Sequence, residues 1–171
     1  MTREEFTLLV KGMKSIYSYD NFLRDQYSVD MWYSLLADLD YKVAAASLKN
    51  FMQTSTKVPT PADIRNGAFQ LTTKPGMSDA QAWAMVSKAI SNSGYNSRQE
   101  FDKLPETIRR AVGSARQLEV WSQTDIQSVE TVIQSQFLRS YRSECTRSEQ
   151  AAKMSPDIMQ LANQTVERLE G

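Results

Sequence analysis

The residue types that most often carry enzyme chemistry are scarce in this chain. Its 171 residues include no histidine and a single cysteine, Cys145. Without histidine, the commonest general base and the commonest transition-metal ligand are missing, and serine–histidine or cysteine–histidine nucleophile pairs cannot form. One cysteine allows neither an intramolecular disulfide nor a four-cysteine zinc site, which fits a reducing compartment. The sequence therefore predicts no catalytic site, no metal site and no cofactor.

Two acidic pairs, Asp38 with Asp40 and Glu100 with Asp102, are the remaining candidates for acid–base or metal chemistry. Carboxylates near helix starts interact favourably with the helix dipole, and no further ligand cluster lies near either pair. None of the six glycines falls in a GxxxxGKS/T or GxGxxG pattern, so no phosphate-binding loop is predicted. We expect a protein that acts by binding another protein, not an enzyme.

The charge balance is even, with 20 basic and 20 acidic residues. A strongly nucleic-acid-binding chain is usually more basic, so direct nucleic-acid binding is expected to be weak or absent. The first residues, MTREEF, do not have the basic and apolar pattern of a signal peptide, and the apolar runs are too short to span a membrane. These features predict a cytoplasmic protein that does not interact with membranes.

The periodicity of apolar residues predicts an all-α fold with a small N-terminal four-helix domain, residues 1–73. Thr2 and Glu5 have the spacing of a capping box, and Thr60 with Pro61 supplies an N-cap and an N1 proline. The four helices are predicted to start at Thr2, near Ser28 or Asp30, at Asp40 and at Thr60. After residues 19–21 and before the second helix, a short turn or helical piece is predicted to carry Phe22, Leu23 and Tyr27.

A second helical region, residues 79–171, follows a linker predicted at residues 74–78, where a Pro-Gly pair disfavours both helix and strand. Ser78 is predicted to cap a helix that ends near Ser93-Gly94, with glycine as the C′ residue. We regard the whole second region as the partner-binding part of the chain.

The second region contains a long amphipathic helix that starts at Asp125. One stripe along it consists of Ile126, Val129, Ile133, Phe137, Tyr141 and Cys145. This stripe either completes the core of the second region or inserts into a partner's groove, and the sequence leaves both interpretations open. On the second interpretation, the candidate partner-binding residues are Ile133, Phe137, Leu138, Arg139, Tyr141 and Arg142.

Four segments of the first region resemble bacteriophage replicative helicase loader/inhibitor proteins of Gram-positive hosts. They are Phe6–Tyr17, Met31–Leu36, Leu39–Val43 and Pro59–Ile64, which match a W-x-x-x-L helix, a D-Y turn and an extended piece ending in P-T-P-x-D-I. The resemblance covers about the first 70 residues. A looser similarity to longer prophage members continues through Trp83, Val86, Ile90 and Gln136–Tyr141.

The resemblance implies a helical N-terminal domain and a C-terminal region that engages the hexameric replicative helicase. Such a protein would load or inhibit the helicase without an ATPase of its own, until an origin-bound initiator protein takes over. The alternative that the residues leave open is a helical DNA-binding replication or transcription factor. In that alternative, Arg109, Arg110 and Arg116 would contact phosphate.

Overall fold

The computed structural model describes residues 1–17 and 22–170, apart from the side chains of residues 167, 169 and 170, and within these ranges it contains helices and no strands. The all-α prediction is confirmed. Residues 18–21 lie outside the described residues; of the short turn or helical piece predicted after them, Phe22 and Leu23 form a turn and Tyr27 already lies in the second helix. The helices are α1 (Arg3–Ile16), α2 (Gln26–Leu36), α3 (Tyr41–Thr54), α4 (Pro61–Thr72), α5 (Asp79–Asp102), α6 (Glu106–Val112), α7 (Ala115–Ser122), α8 (Ile126–Ser128), α9 (Gln134–Lys153) and α10 (Pro156–Glu170), with a π-helical turn, Val129–Ile133, between α8 and α9.

The chain divides into two compact units. Unit 1 consists of residues 1–74 together with 152–171, and unit 2 consists of residues 75–151. The end of the chain therefore groups with unit 1, whereas the sequence pattern assigned it to the second region. That residues 1–73 fold independently stays a prediction.

Unit 1 begins its helices with side-chain caps. The Thr2 hydroxyl accepts from the Glu5 amide at 3.2 Å, and the Glu5 carboxylate accepts from the Thr2 amide at 2.8 Å. Thr60 forms a second capping box at the start of α4. Helix α2 starts two residues earlier than predicted from Ser28, because the Asp25 carboxylate accepts from the Ser28 amide at 2.7 Å. The main core residues are Phe6, Leu9, Val10, Met13, Leu36, Ala44, Leu48 and Ile64.

Unit 2 is built around α5, which consists of two helical segments joined by a kink at Asn96, whose backbone is not helical (φ −126°, ψ 28°). The predicted helix end near Ser93-Gly94 therefore lies within three residues of the actual break, although the non-helical residue is not the glycine. The glycine with a positive φ is Gly113 (φ 91°), which ends α6. The core residues of unit 2 are Ala82, Val86, Ala89, Ile90, Leu104, Ile108, Val112, Leu118, Trp121, Ile133, Phe137 and Tyr141.

Candidate partner-binding surfaces

The aromatic residues of the predicted stripe lie inside unit 2. Phe137 is 1% exposed and stacks on Tyr141, with ring centroids 5.8 Å apart and an interplanar angle of 19°. The Trp83 ring lies against Phe137 with centroids 5.9 Å apart, and Ile133 is also buried. These three side chains of the stripe therefore contribute to the hydrophobic core, and a partner cannot reach them while unit 2 is folded.

Tyr141 and Arg142 connect α9 to the start of α5. The Tyr141 hydroxyl donates to the Met77 carbonyl oxygen at 2.9 Å, and Arg142 Nε donates to the Asp79 carboxylate at 2.7 Å. Burial, together with a hydrogen bond to Cys145, raises the pKa of Tyr141 to about 12. The neutral tyrosine therefore persists through the physiological pH range, and the position of α9 against α5 is fixed by polar as well as apolar contacts.

The other candidate residues form the outer side of α9. Leu138 is half-buried against the core, whereas Arg139 and Arg142 are exposed. Arg142 lies one turn beyond both of the others, so the three side chains share one surface of the helix. Of the six candidate partner-binding residues, Leu138, Arg139 and Arg142 therefore remain accessible on this surface. Their role in binding stays a prediction.

A π-helical turn separates the start of the amphipathic segment from the rest. A π turn contains one residue more than an α turn, so the side chains before it are rotated by about 100° from an uninterrupted stripe. Ile126, predicted to lie on the stripe, is accordingly 77% exposed, and Val132 within the turn is also exposed. The prediction of one regular helix with a continuous stripe from Ile126 is therefore wrong at its first turn.

Helix α10 has an apolar face that no part of the structure covers. None of its described side chains is buried, although Ile158, Leu161 and Val166 recur at the spacing of one helix face. Leu161 is 64% exposed. Apolar surface on a short helix is usually buried in a globular protein, so this face is a candidate interaction surface.

A second uncovered apolar surface lies between α1 and α3, and we call it the α1/α3 groove. It encloses about 350 Å³, and Lys49 is the only charged residue among the described residues that line it. The lining consists of Leu8, Leu9, Gly12, Ser15, Ile16, Ala45, Leu48, Lys49, Met52 and Gln53. No atom would meet a Cβ added to Gly12, so the groove is open at that position.

Arg65 on α4 contacts the segment that precedes α10, a contact that no pattern in the sequence indicates. Its guanidinium forms two hydrogen bonds with the Asp38 carboxylate, at 2.6 and 2.7 Å, and donates to the Leu35 carbonyl oxygen at 2.6 Å. Arg65 Nε donates to the Lys153 carbonyl oxygen at 3.1 Å, and the Lys153 ammonium lies 5.0 Å from the centre of the Phe69 ring. These contacts fix the first residues of the segment that leads into α10.

The arginines that would contact phosphate in the DNA-binding alternative do not form a purely cationic surface. Arg110 is paired with Glu106 one turn earlier, Arg109 is half-buried, and Arg116 is exposed. Glu119 lies three residues after Arg116 and is also exposed. Acidic neighbours of this kind reduce attraction to phosphate, which favours a solvated helix surface.

Within the described ranges, no group of three or more histidine, cysteine, aspartate or glutamate side chains is arranged to hold a metal ion. In the same part of the chain, no helix combines the length and apolar character that crossing a bilayer requires. Neither finding identifies a ligand, so the surfaces described above remain the candidate sites.

Comparison with known proteins shows that the first part of unit 1 matches a family model. No curated protein and no solved structure is similar enough to this chain to count as a match. Residues 1–65 match the family model G39P_N, which describes the N-terminal domain of the phage SPP1 helicase loader of that name. The matched range contains α1 to α3 and the capped start of α4. This match supports the resemblance to the bacteriophage helicase loader family over residues 1–65.

Proposed function

We propose that this protein is a phage or prophage replication accessory protein that binds the hexameric replicative helicase and loads or inhibits it. The observation that carries the proposal is the match of residues 1–65 to the N-terminal domain of a helicase loader. The site of action is then the cytoplasm of the bacterial host, where the replicative helicase works. An origin-bound initiator protein is the second expected partner, and it would take over when the loader leaves.

The protein performs this role without catalysis of its own. No glycine pattern for a phosphate loop occurs in the sequence, and the described residues hold no metal-binding group. A protein without nucleotide hydrolysis can only favour one state of the helicase ring by binding that state more tightly. Loading and inhibition therefore differ in which ring conformation the protein binds, and in what displaces it afterwards.

The helicase contact is proposed on the C-terminal region. The outer side of α9 offers the half-buried Leu138 beside two exposed arginines, Arg139 and Arg142, of which Arg142 also pairs with Asp79. Arginine is enriched among the residues that dominate the binding energy of interfaces. Ile133, Phe137 and Tyr141 support this surface from inside unit 2 and do not touch the partner. The apolar face of α10 is the second candidate surface in the same region.

The proposal is tested by co-purification with the replicative helicase of the same host, followed by sizing of the complex. Arg139→Glu should weaken binding at least tenfold, because it places an acid at the centre of the proposed contact. The matched control is Arg98→Glu, which makes the same charge change at another exposed position of unit 2. Both variants should keep the helical content and melting temperature of the parent protein.

The outcomes separate the candidate surfaces. A complex that forms with the parent protein and with Arg139→Glu, but not with a chain ending at residue 155, would assign the contact to α10 and not to α9. No complex with any replicative helicase of the host, but salt-dependent binding to DNA, would replace the proposed function by the DNA-binding alternative.

A further inference from the structure

The described residues leave two apolar surfaces of unit 1 uncovered. The α1/α3 groove lies between two helices, and α10 presents an apolar helix face. We infer that the α1/α3 groove of one molecule binds the apolar face of α10 from a second copy of this chain. The inference concerns self-association and does not depend on whether the helicase is the partner.

The composition of the two surfaces supports this pairing. Between Pro156 and Val166, the only charged residue of α10 is Asp157, at the edge of its apolar face. Within the part of the chain that the structure describes, the charged side chain that lines the groove is the cation Lys49. Docking therefore buries no like-charge pair, and Asp157 and Lys49 have opposite signs. An isolated helix of this length is marginally stable in water, so covering its apolar face would also stabilise the helix itself.

The occupant is a second copy because α10 of the same molecule starts on the wrong side of α3. On α3, Val43 and Ser47 face α4, since the Ser47 hydroxyl donates to the Ile64 carbonyl oxygen at 2.7 Å and Val43 lies beside Arg65 in one pocket. Ala45, Leu48, Lys49 and Met52 line the groove. At 100° per residue these two sets point about 170° apart, so they occupy opposite sides of α3.

The Arg65 contact to the Lys153 carbonyl oxygen holds the start of α10 on the α4 side. A straight helix that begins there cannot lie in a groove on the far side of α3 without releasing this contact. Two copies can satisfy both requirements, because each keeps its own Arg65 contact while its α10 enters the groove of the other molecule. Either a reciprocal dimer or a head-to-tail chain of copies results.

The test uses the full chain and two complementary variants. The groove variant carries Leu8→Glu and Ile16→Glu, and the helix variant carries Ile158→Glu and Leu161→Glu. All four side chains are exposed, so the variants are expected to fold like the parent protein, as circular dichroism would verify. The matched control is Val120→Glu, which introduces the same charge at an exposed apolar position of unit 2.

Sedimentation or light scattering is measured over a concentration series up to about 500 µM, since an interface formed by one helix is expected to be weak. The parent protein and Val120→Glu should associate equally, and each complementary variant alone should associate at least tenfold more weakly. An equimolar mixture of the two variants should form a dimer, because the intact α10 of the groove variant fits the intact groove of the helix variant. That complex contains two copies and does not grow, because the groove and the α10 that remain unoccupied both carry the glutamate substitutions.

Three results would overturn the inference. The first is a parent protein that is monomeric throughout the series. The second is association that survives in either complementary variant. The third is a mixture that fails to associate although the parent protein does, because the groove and α10 would then not be each other's partners. A monomeric parent protein whose helicase binding is lost in the groove variant would assign the groove to the helicase and reject the second copy as its occupant.

Discussion

Replacing Phe137 by alanine tests most directly whether the stripe on α9 serves the core or a partner. Phe137 is 1% exposed and contacts the rings of both Tyr141 and Trp83. Truncating a buried phenylalanine to alanine usually costs about 3 to 5 kcal/mol, because apolar contacts are lost and a cavity remains. A small domain is stable by roughly 5 to 15 kcal/mol, so unit 2 would lose a large share of its stability. The transition of unit 2 should move down by on the order of 15 °C or more.

The measurement needs a probe for unit 2 alone. Two of the three tryptophans, Trp83 and Trp121, lie in unit 2, so a Trp32→Phe background makes the fluorescence specific for that unit. The matched control is Arg139→Ala on the same helix, which should change the stability by less than about 0.5 kcal/mol because the side chain is exposed. A Phe137→Ala protein that melts within about 3 °C of its parent, yet no longer binds its partner, would refute the assignment of this side chain to the core.

Three further predictions follow from the described contacts. The raised pKa of Tyr141, about 12, means that the folded state favours the neutral side chain. Its contribution to stability is therefore complete below the unfolded pKa near 10 and is lost as the pH rises towards 12. Urea titrations of Tyr141→Phe at alkaline pH should lack this loss, and a pH dependence equal to that of the parent protein would contradict the prediction. Arg65→Ala should destabilise unit 1 by about 1 to 3 kcal/mol, because it leaves the Asp38 carboxylate, whose side chain is 24% exposed, unpaired. The control Arg3→Ala breaks a pair whose side chains are 64% and 42% exposed and should cost under about 1 kcal/mol. Equal effects of the two variants in thermal melts would argue against a stabilising role of the Arg65 contacts. A fragment of residues 1–73 should melt cooperatively by circular dichroism, because the core cluster that contains Phe6, Met13, Leu36 and Ile64 consists of residues of that range. An unfolded fragment would show that residues outside this range are needed.

The helix starts could be predicted from the sequence because their signals are local. Thr2, Asp40, Thr60 and Ser78 all cap helices as predicted. Each cap depends on atoms within three residues, so no knowledge of the tertiary structure is needed.

The π turn could not be predicted in the same way, and the break in α5 could be predicted only to within three residues. Gly94 has the residue type of a helix end, but the residue with the non-helical backbone is Asn96. The π turn leaves an apolar residue at every third or fourth position, so the stripe looks continuous in the sequence although it is interrupted.

The two interpretations of the stripe could be separated only by distant contacts. Phe137 and Tyr141 look alike in the sequence whether they face a core or a partner. Trp83 and Met77, which lie more than fifty residues earlier, occupy the space that a partner would need. Arg65 is a further residue of this kind, since its hydrogen bonds to Asp38 and Lys153 span 27 and 88 positions. Burial set by long-range contacts leaves no periodic signal in a single sequence.

The anchor at Arg65 also determines how α10 meets any molecule that binds it. A helix on a flexible tail must lose its orientational freedom when it binds, and that loss weakens the complex. Here, the guanidinium holds Lys153, three residues before α10, while it is itself held by Asp38, so the start of the helix is already restricted in the free protein. Because an arginine keeps its charge at all physiological pH values, this preorganisation does not change with acidity. A docking partner therefore encounters a surface whose orientation is set in advance, which favours fast and selective association over binding to many different surfaces.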